Sequence, residues 1–252
     1  MSHPIETIYR YPLKGFSPDP LDKVTLEAGK AMPWDRAFAI ENGTRDVDPE
    51  APAFFPKVKF LQLMQFARLA TLEVHFDADR PMLRFARDGK SLVQGDPTTP
   101  IGRQLIEQFM AAYFKEELRG APRLVYAPDH TFSDVSLACI SFINLTSVDD
   151  VARVFGRPVD PLRFRGNIYF RTDNPWEEKA WIGKHLTVGE TRFEVVEGIV
   201  RCAATNVDPA TAERDGNMPR LLQDAFGANE LGVYAKVVDG GKIAVGDTIA
   251  VG

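Results

Sequence analysis

Apolar runs of strand length, each closed within a few residues by a turn signal, recur along this chain of 252 residues and limit what it can fold into. Residues 5–10 lead into a turn at Pro12, and 24–26 form another short run. Residues 36–40 stop at Asn42-Gly43, a dipeptide that favours a tight hairpin. Residues 69–76 and 82–85 complete a meander, and 192–196 read as a strand in the last third. The segments 183–191 and 241–248 look alike, as similar hairpins at a barrel rim would. Between the early strands, residues 48–56 carry too many prolines for a central strand. Phe54 and Phe55 in that stretch need a surface to cover. The segment is therefore either an ordered loop near a pocket or a loop packed on its own domain.

Three helices are signalled. Thr99 caps a segment over 100–114 that opens on Pro100, with Leu105, Phe109 and Ala112 on one face. Ser147 and Asp150 suit a capping box for 148–155, which Gly156 terminates. Asn217 caps 218–226 and Gly227 closes it. Many short strands with few helices predict an α+β, β-rich chain built on a β-barrel with helical decoration. No low-complexity linker divides it, so the boundary expected between 118 and 119 is tightly packed.

A net charge of -5 gives no electrostatic reason to expect nucleic acid or an anionic membrane as a partner. No apolar run reaches membrane-span length, and the polar start Met1-Ser2-His3-Pro4 lacks the apolar core of a signal peptide. A cytoplasmic protein is expected. With 2 cysteines, far apart, neither a disulfide framework, a structural zinc site nor an iron–sulfur cluster within the chain is expected. Cys139, in an apolar run, is assigned to the core. His3, His75, His130 and His185 are scattered, and surface or structural roles are expected for them.

The other cysteine stands in Arg201-Cys202-Ala203-Ala204-Thr205-Asn206-Val207-Asp208-Pro209, behind a strand and ahead of an Asp-Pro break. That context puts the thiol at the mouth of a strand beside a guanidinium, which favours the thiolate, the form that attacks electrophiles and binds metals. A free cysteine acting as a small buried hydrophobe is the other reading of the same residues.

This segment, Tyr11-Pro12-Leu13-Lys14, Arg163-Phe164-Arg165-Gly166-Asn167-Ile168 and the terminal Val238-Asp239-Gly240-Gly241-Lys242-Ile243-Ala244-Val245-Gly246-Asp247 together resemble the MOSC domain family with its N-terminal β-barrel domain. The family includes the mitochondrial amidoxime reducing component and the C-terminal part of molybdenum cofactor sulfurase. The resemblance implies a MOSC β-barrel over 119–252, packed against an N-terminal β-barrel-like domain over 1–118. It also implies a molybdenum cofactor of the pyranopterin type, with Cys202 as metal ligand and catalytic residue. A soft thiolate suits such a metal. Lys14, Arg36, Arg165 and Arg201 would meet the anionic cofactor, arginine as a planar fork and lysine as a point charge. Asn167 would offer an amide to the pterin edge. Thr205, and Ser133 and Ser136 of the Ser-Asp-x-Ser segment, would add hydroxyls. Asp208 would orient the Cys202 loop through backbone amides or pair with Arg201.

The activity implied is reduction of N-hydroxylated small molecules, with electrons from a separate electron-transfer protein or reductase. A sulfur carrier with a persulfide on Cys202, or a non-enzymatic carrier of molybdenum cofactor, are the alternatives. The chain departs from the family in two motifs. Gly15 stands where many members carry serine, and 48–56 lacks the Thr-x-Arg-Gln pattern of the reductase branch. The chain also ends at Gly252 without the ferredoxin-like extension of some relatives.

Overall fold

Along the first strand, His3 and Ile5 are buried while Pro4 and Glu6 are exposed, the two-residue rhythm of a strand with one face on a core, and a register shift after Ile5 brings Ile8 to that same core. The computed structural model describes residues 3–252; Met1 and Ser2 of the polar start lie outside the described residues. The first half runs β1 (His3–Arg10), β2 (Asp19–Leu21), β3 (Lys23–Leu26), β4 (Phe38–Asn42), β5 (Glu73–Asp77), β6 (Met82–Arg87), β7 (Lys90–Gly95) and α1 (Pro100–Tyr113). The second half adds β8 (Pro122–Tyr126), β9 (Ile140–Asn144), α2 (Leu145–Phe155), β10 (Ile168–Phe170), β11 (His185–Val188) and β12 (Thr191–Val200). It ends with α3 (Met218–Phe226), β13 (Glu230–Asp239), β14 (Gly241–Ala244) and β15 (Thr248–Val251).

Seven of these strands close a barrel in the order β1, β10, β9, β13, β12, β11, β15 and back to β1, and β2 lies outside on β1. The closing stave comes from the chain's beginning: Ile5 pairs with Phe170 and Ile8 with Ile168 on one side, His3 with Ile249 on the other. Only β9 and β10 run parallel within it. Its interior holds Ile5, Ile8, Phe142, Phe170, Phe193 and Val233, with Leu26 and Met32 added from the early chain. A second core joins Leu13, Phe16 and Phe38 to the β5–β6–β7 meander and α1. Strand β1, Leu26 and Met32 thus pack into the barrel formed mainly by the C-terminal half, across the boundary expected at 118/119.

Several local expectations are corrected. Asn42-Gly43 makes no hairpin: β4 pairs instead with β8, Phe38 opposite Tyr126 and Asn42 opposite Pro122. Gly43 is required because a Cβ there would stand 2.7 Å from the Gly120 nitrogen. The strand begins at Phe38 because Arg36 takes a left-handed φ of 51°. The run expected from Leu69 opens as a 3-10 turn over Ala67–Thr71, and the strand starts at Glu73. Thr99 caps α1 as expected, accepting from Gly102 N at 3.1 Å. Its buried face, however, carries Ile106 and Met110, while Leu105 and Ala112 are exposed. Gly102 sets that rotation, since its backbone lies so close to Asp96 that a Cβ would sit 2.0 Å from the Asp96 carbonyl oxygen.

The second helix begins earlier than expected, with Asn144 as its cap accepting from Thr146 N at 3.0 Å. Ser147 lies buried inside it instead, its hydroxyl 3.0 Å from the Glu178 carboxylate. Asn217 and Gly227 bound α3 as expected. Among the described residues no helix is long and apolar enough to cross a membrane.

Candidate functional site

Strand β12 delivers Cys202 to the rim of the barrel. The residue is extended (φ -115°, ψ 174°) and precedes one turn of 3-10 helix, Ala203–Asn206. Its carbonyl accepts from Thr205 N at 3.0 Å and Thr205 Oγ1 at 2.8 Å, so the buried threonine fixes the turn that carries the thiol. Arg201 is buried beside it. Its Nη1 donates to Phe164 O at 2.8 Å, and Nε donates to Leu231 O at 2.9 Å. Burial pulls its guanidinium down to about 10, which leaves it charged at neutral pH. Arg163, 3% exposed, anchors the far side of the loop through Asp208 (2.6 Å) and Asp215 (2.6 and 2.8 Å).

The thiol opens on a cleft of about 360 Å³, within the usual size range for a small-molecule site. Lys14, Arg36, Lys57, Arg163, Arg165 and Arg201 line it, against three carboxylates, Asp35, Asp134 and Glu197. This surplus of cations makes a local anion site on a chain whose net charge is negative. Lys14, nearly buried, donates to Phe132 O at 2.8 Å and to Asp134 Oδ1 at 2.5 Å. Lys57 reaches Asp134 Oδ2 at 3.2 Å. Desolvation works against the Asp134 charge, yet the ammonium groups of Lys14 and Lys57 outweigh it and hold the carboxyl well below its usual range. Desolvation likewise opposes the Lys57 charge, but Asp134 and the Cys202 sulfur raise its pKa.

Arg36 and Arg165 share a second arrangement. Both adopt φ 51°, a sparsely populated backbone region for non-glycine residues, and both place a guanidinium over the Tyr11 ring, at 4.8 and 4.3 Å. Arg36 pairs with Asp35 and donates to Arg165 O at 3.0 Å, while Arg165 donates to Phe16 O at 2.7 Å. Gly15 beside Lys14 has φ 86°, and a Cβ there would lie 2.7 Å from Leu61 O. The departure from serine at this position follows from that contact.

The structure brings Lys14, Arg36, Ser133, Arg165, Asn167, Arg201, Cys202 and Thr205 to the one cleft. It does not bring the other two. Ser136 is exposed and outside the lining. Asp208 accepts from the Ala210 and Thr211 backbone amides, one of the two roles expected for it; the other, a pair with Arg201, is corrected, because Asp208 binds Arg163 and Arg201 has carbonyl partners. Asn167 is largely committed to the barrel: its Oδ1 accepts from Ser141 N and Oγ, and its amide donates to Tyr9 O at 3.1 Å. One N–H of that amide remains. Cys139 also departs from expectation, being half-buried in the cleft lining rather than in the core; burial pushes its thiol up to about 12. Lys57, Asp134, Arg163 and Glu197 were not anticipated as lining residues. The proline-rich stretch before Lys57 held the available signal: Phe55 packs on the small core around Phe60 and Phe132, and the chain then enters the cleft at Lys57.

Residues 128–250 match the MOSC domain model. Molybdenum cofactor sulfurase of Danio rerio is 37% identical over 73 residues, 29% of this chain and 8% of that protein. The Caenorhabditis briggsae sulfurase is 34% identical over 98 residues, 37% of this chain and 14% of that protein. The chain thus matches only a small part of those relatives' length. Among solved structures, the YuaD protein of Bacillus subtilis covers 100% of this chain and 96% of its own at 13% identity and a TM-score of 0.44. YiiM from Geobacillus stearothermophilus covers 45% of this chain and 53% of its own, at 17% identity and a TM-score of 0.37. Cys202, its loop, five of the seven barrel strands and all of β15 but Val251 fall inside the matched segment, and residues 128–250 of this chain are a MOSC domain.

Proposed function

We propose that the cleft binds a molybdenum cofactor of the phosphorylated pyranopterin type and reduces N-hydroxylated small molecules. The observation that carries this reading is the placement of the Cys202 thiol at the rim of a cleft with a surplus of cations. The donor set fits the group: one soft sulfur suits the metal, and fixed guanidinium and ammonium groups suit a phosphate. Cys202 would hold the metal, and Lys14, Lys57, Arg36, Arg165 and Arg201 the anionic part. When bound, the cofactor supplies two-electron redox chemistry.

The chain's own residues supply orientation and electrostatics. Thr205 and Arg163 fix the Cys202 turn, and Asp134 holds Lys57 and Lys14 in place. In the overall reaction the N–O bond breaks, two electrons arrive from a separate electron-transfer protein, two protons are taken up, and water leaves. Metal and pterin analysis of protein from a cofactor-producing host tests this. Stoichiometric molybdenum, lost in Cys202→Ala, and turnover of an amidoxime with a reduced electron-transfer protein are expected. Loaded protein that converts none of a panel of N-hydroxylated compounds would end the reductase reading.

The sulfurase relatives favour a second reading, in which Cys202 carries a persulfide and passes its terminal sulfur to an acceptor. Labelled sulfur moving from Cys202 to an acceptor, in protein that takes up no molybdenum, would select it.

A further inference from the structure

Strand β12 alternates cleanly at first, with Thr191, Phe193 and Val195 buried and Arg192 and Glu194 exposed. Continued alternation would turn Glu197 into the barrel core. It does not, because the register against β13 slips: Val195 faces Ala235 and Glu197 faces Tyr234, leaving Val196 as an extra residue. Such a bulge re-aims the side chains that follow it. Glu197 is exposed in the cleft lining, followed by Ile199 and Val200, with Cys202 a few residues on.

The three carboxylates of the cleft differ in their commitments. Asp35 accepts from Tyr11 N at 2.8 Å and pairs with Arg36. Asp134 is held between Lys14 and Lys57. No hydrogen bond or ion pair among the described residues reaches the Glu197 carboxylate. Beside it, Ile199 and Val200 give the wall an apolar strip, and Val200 is 63% exposed.

An uncommitted carboxylate next to an apolar strip suits a ligand with a cationic head and an apolar body. Resting on the reductase reading, we propose that Glu197 is a specificity-determining residue that recognises the amidinium or guanidinium head of an apolar base. The matching substrates are amidoximes and N-hydroxyguanidines with aryl or alkyl bodies. An amidinium presents two parallel N–H groups, which a carboxylate accepts in the fork geometry of an arginine pair. An amidoxime is neutral and its amidine product is protonated at neutral pH, so Glu197 favours the charge that appears as the N–O bond is reduced.

Benzamidine and its neutral counterpart benzamide separate the contribution of charge from that of shape. Titration calorimetry of wild type and Glu197→Gln, each as cofactor-free and as molybdenum-loaded protein, measures both affinities. Wild type is expected to bind benzamidine about fivefold more tightly than benzamide, the scale of one solvent-accessible ion pair. Glu197→Gln is expected to remove that difference and leave benzamide binding unchanged. Equal affinities in wild type, or a preference that survives the substitution, would overturn the proposal. Molybdenum content is measured on the same preparations. Full loading without a benzamidine preference removes Glu197's role and leaves the proposed function standing. A chain that takes up no molybdenum removes the proposed function, and the cofactor-free titration still decides Glu197.

Discussion

Arg163 Nη2 donates to Asp208 Oδ2 at 2.6 Å, and this pair ties the segment after Cys202 to the turn that precedes β10. The same guanidinium holds Asp215 and approaches the carbonyls of Thr205 and Asn206 at 3.5 and 3.4 Å. One buried cation thereby gathers both limbs of the loop. Arg163→Met would leave Asp208 without its ion-pair partner and Asp215 with Arg157 alone. The expected loss of stability is about 2–3 kcal/mol, below the range for fully buried pairs because both carboxylates keep some solvent contact. Urea unfolding measures it, and a change within about 0.5 kcal/mol would show that Arg163 does not hold the loop.

Acid should weaken the same interaction. Hydrogen bonding from Arg163 is the leading cause that holds the Asp215 carboxyl below its ordinary value, partly offset by desolvation. At pH values between the two constants the unfolded chain binds more protons at this group than the folded one. Its contribution is therefore present above the unfolded value of about 3.9 and lost as pH falls through the lower folded value. Unfolding free energies followed from about pH 5 to pH 3 should fall more steeply in wild type than in Arg163→Met. Parallel curves would contradict this.

Gly15 makes a second structural test. Its φ of 86° and the 2.7 Å approach of a Cβ to Leu61 O leave no room for a side chain. Gly15→Ala is expected to cost about 1–3 kcal/mol by thermal or urea unfolding. Because Lys14 precedes it, the variant should also retain less pterin after gel filtration. A stable variant with full pterin retention would show that this turn tolerates a side chain.

The two cysteines should differ in reactivity. With its thiol pushed up to about 12 by burial, Cys139 holds almost no thiolate at pH 8. Iodoacetamide at that pH should label Cys202 alone in native cofactor-free protein, and peptide mapping by mass spectrometry reads the sites. Comparable labelling of Cys139 would place it outside the environment described.

Local pattern exposed much of this fold. The apolar run over residues 5–10, the Thr99 cap and the Asn217–Gly227 bounds are decided within a few residues, and the chain follows them. Asn42-Gly43 misled because its glycine answers a contact with Gly120, on a segment far along the chain. Ser147 misled because Asn144, three residues earlier, is an equally good cap, and only the buried Glu178 decides between them. In the site, Cys202, Lys14, Arg36, Arg165 and Arg201 were readable from motifs. Lys57, Asp134 and Glu197 were not, since the first two meet only when distant loops converge. The third faces the cleft through the Val196 bulge, which depends on register against β13. Of the two roles expected for Asp208, it takes the backbone amides, of Ala210 and Thr211, but not Arg201, because sequence proximity to Arg201 says nothing of Arg163 across the loop.

The first strand of the chain being a stave of the barrel has a consequence for biosynthesis. On the ribosome, β1 emerges before its partners and waits for β10 and then β15 before both its edges are satisfied. Until then the nascent sheet presents open strand edges, the surfaces through which β-rich chains associate wrongly. The same arithmetic governs dissection of the molecule. A fragment cut at residue 128 would carry the whole family-matched segment and still lack the strand that joins β10 to β15. Its natural remedy would be to borrow that strand from a neighbour, so the excised segment should oligomerise or precipitate unless residues 3–10 are supplied as a peptide.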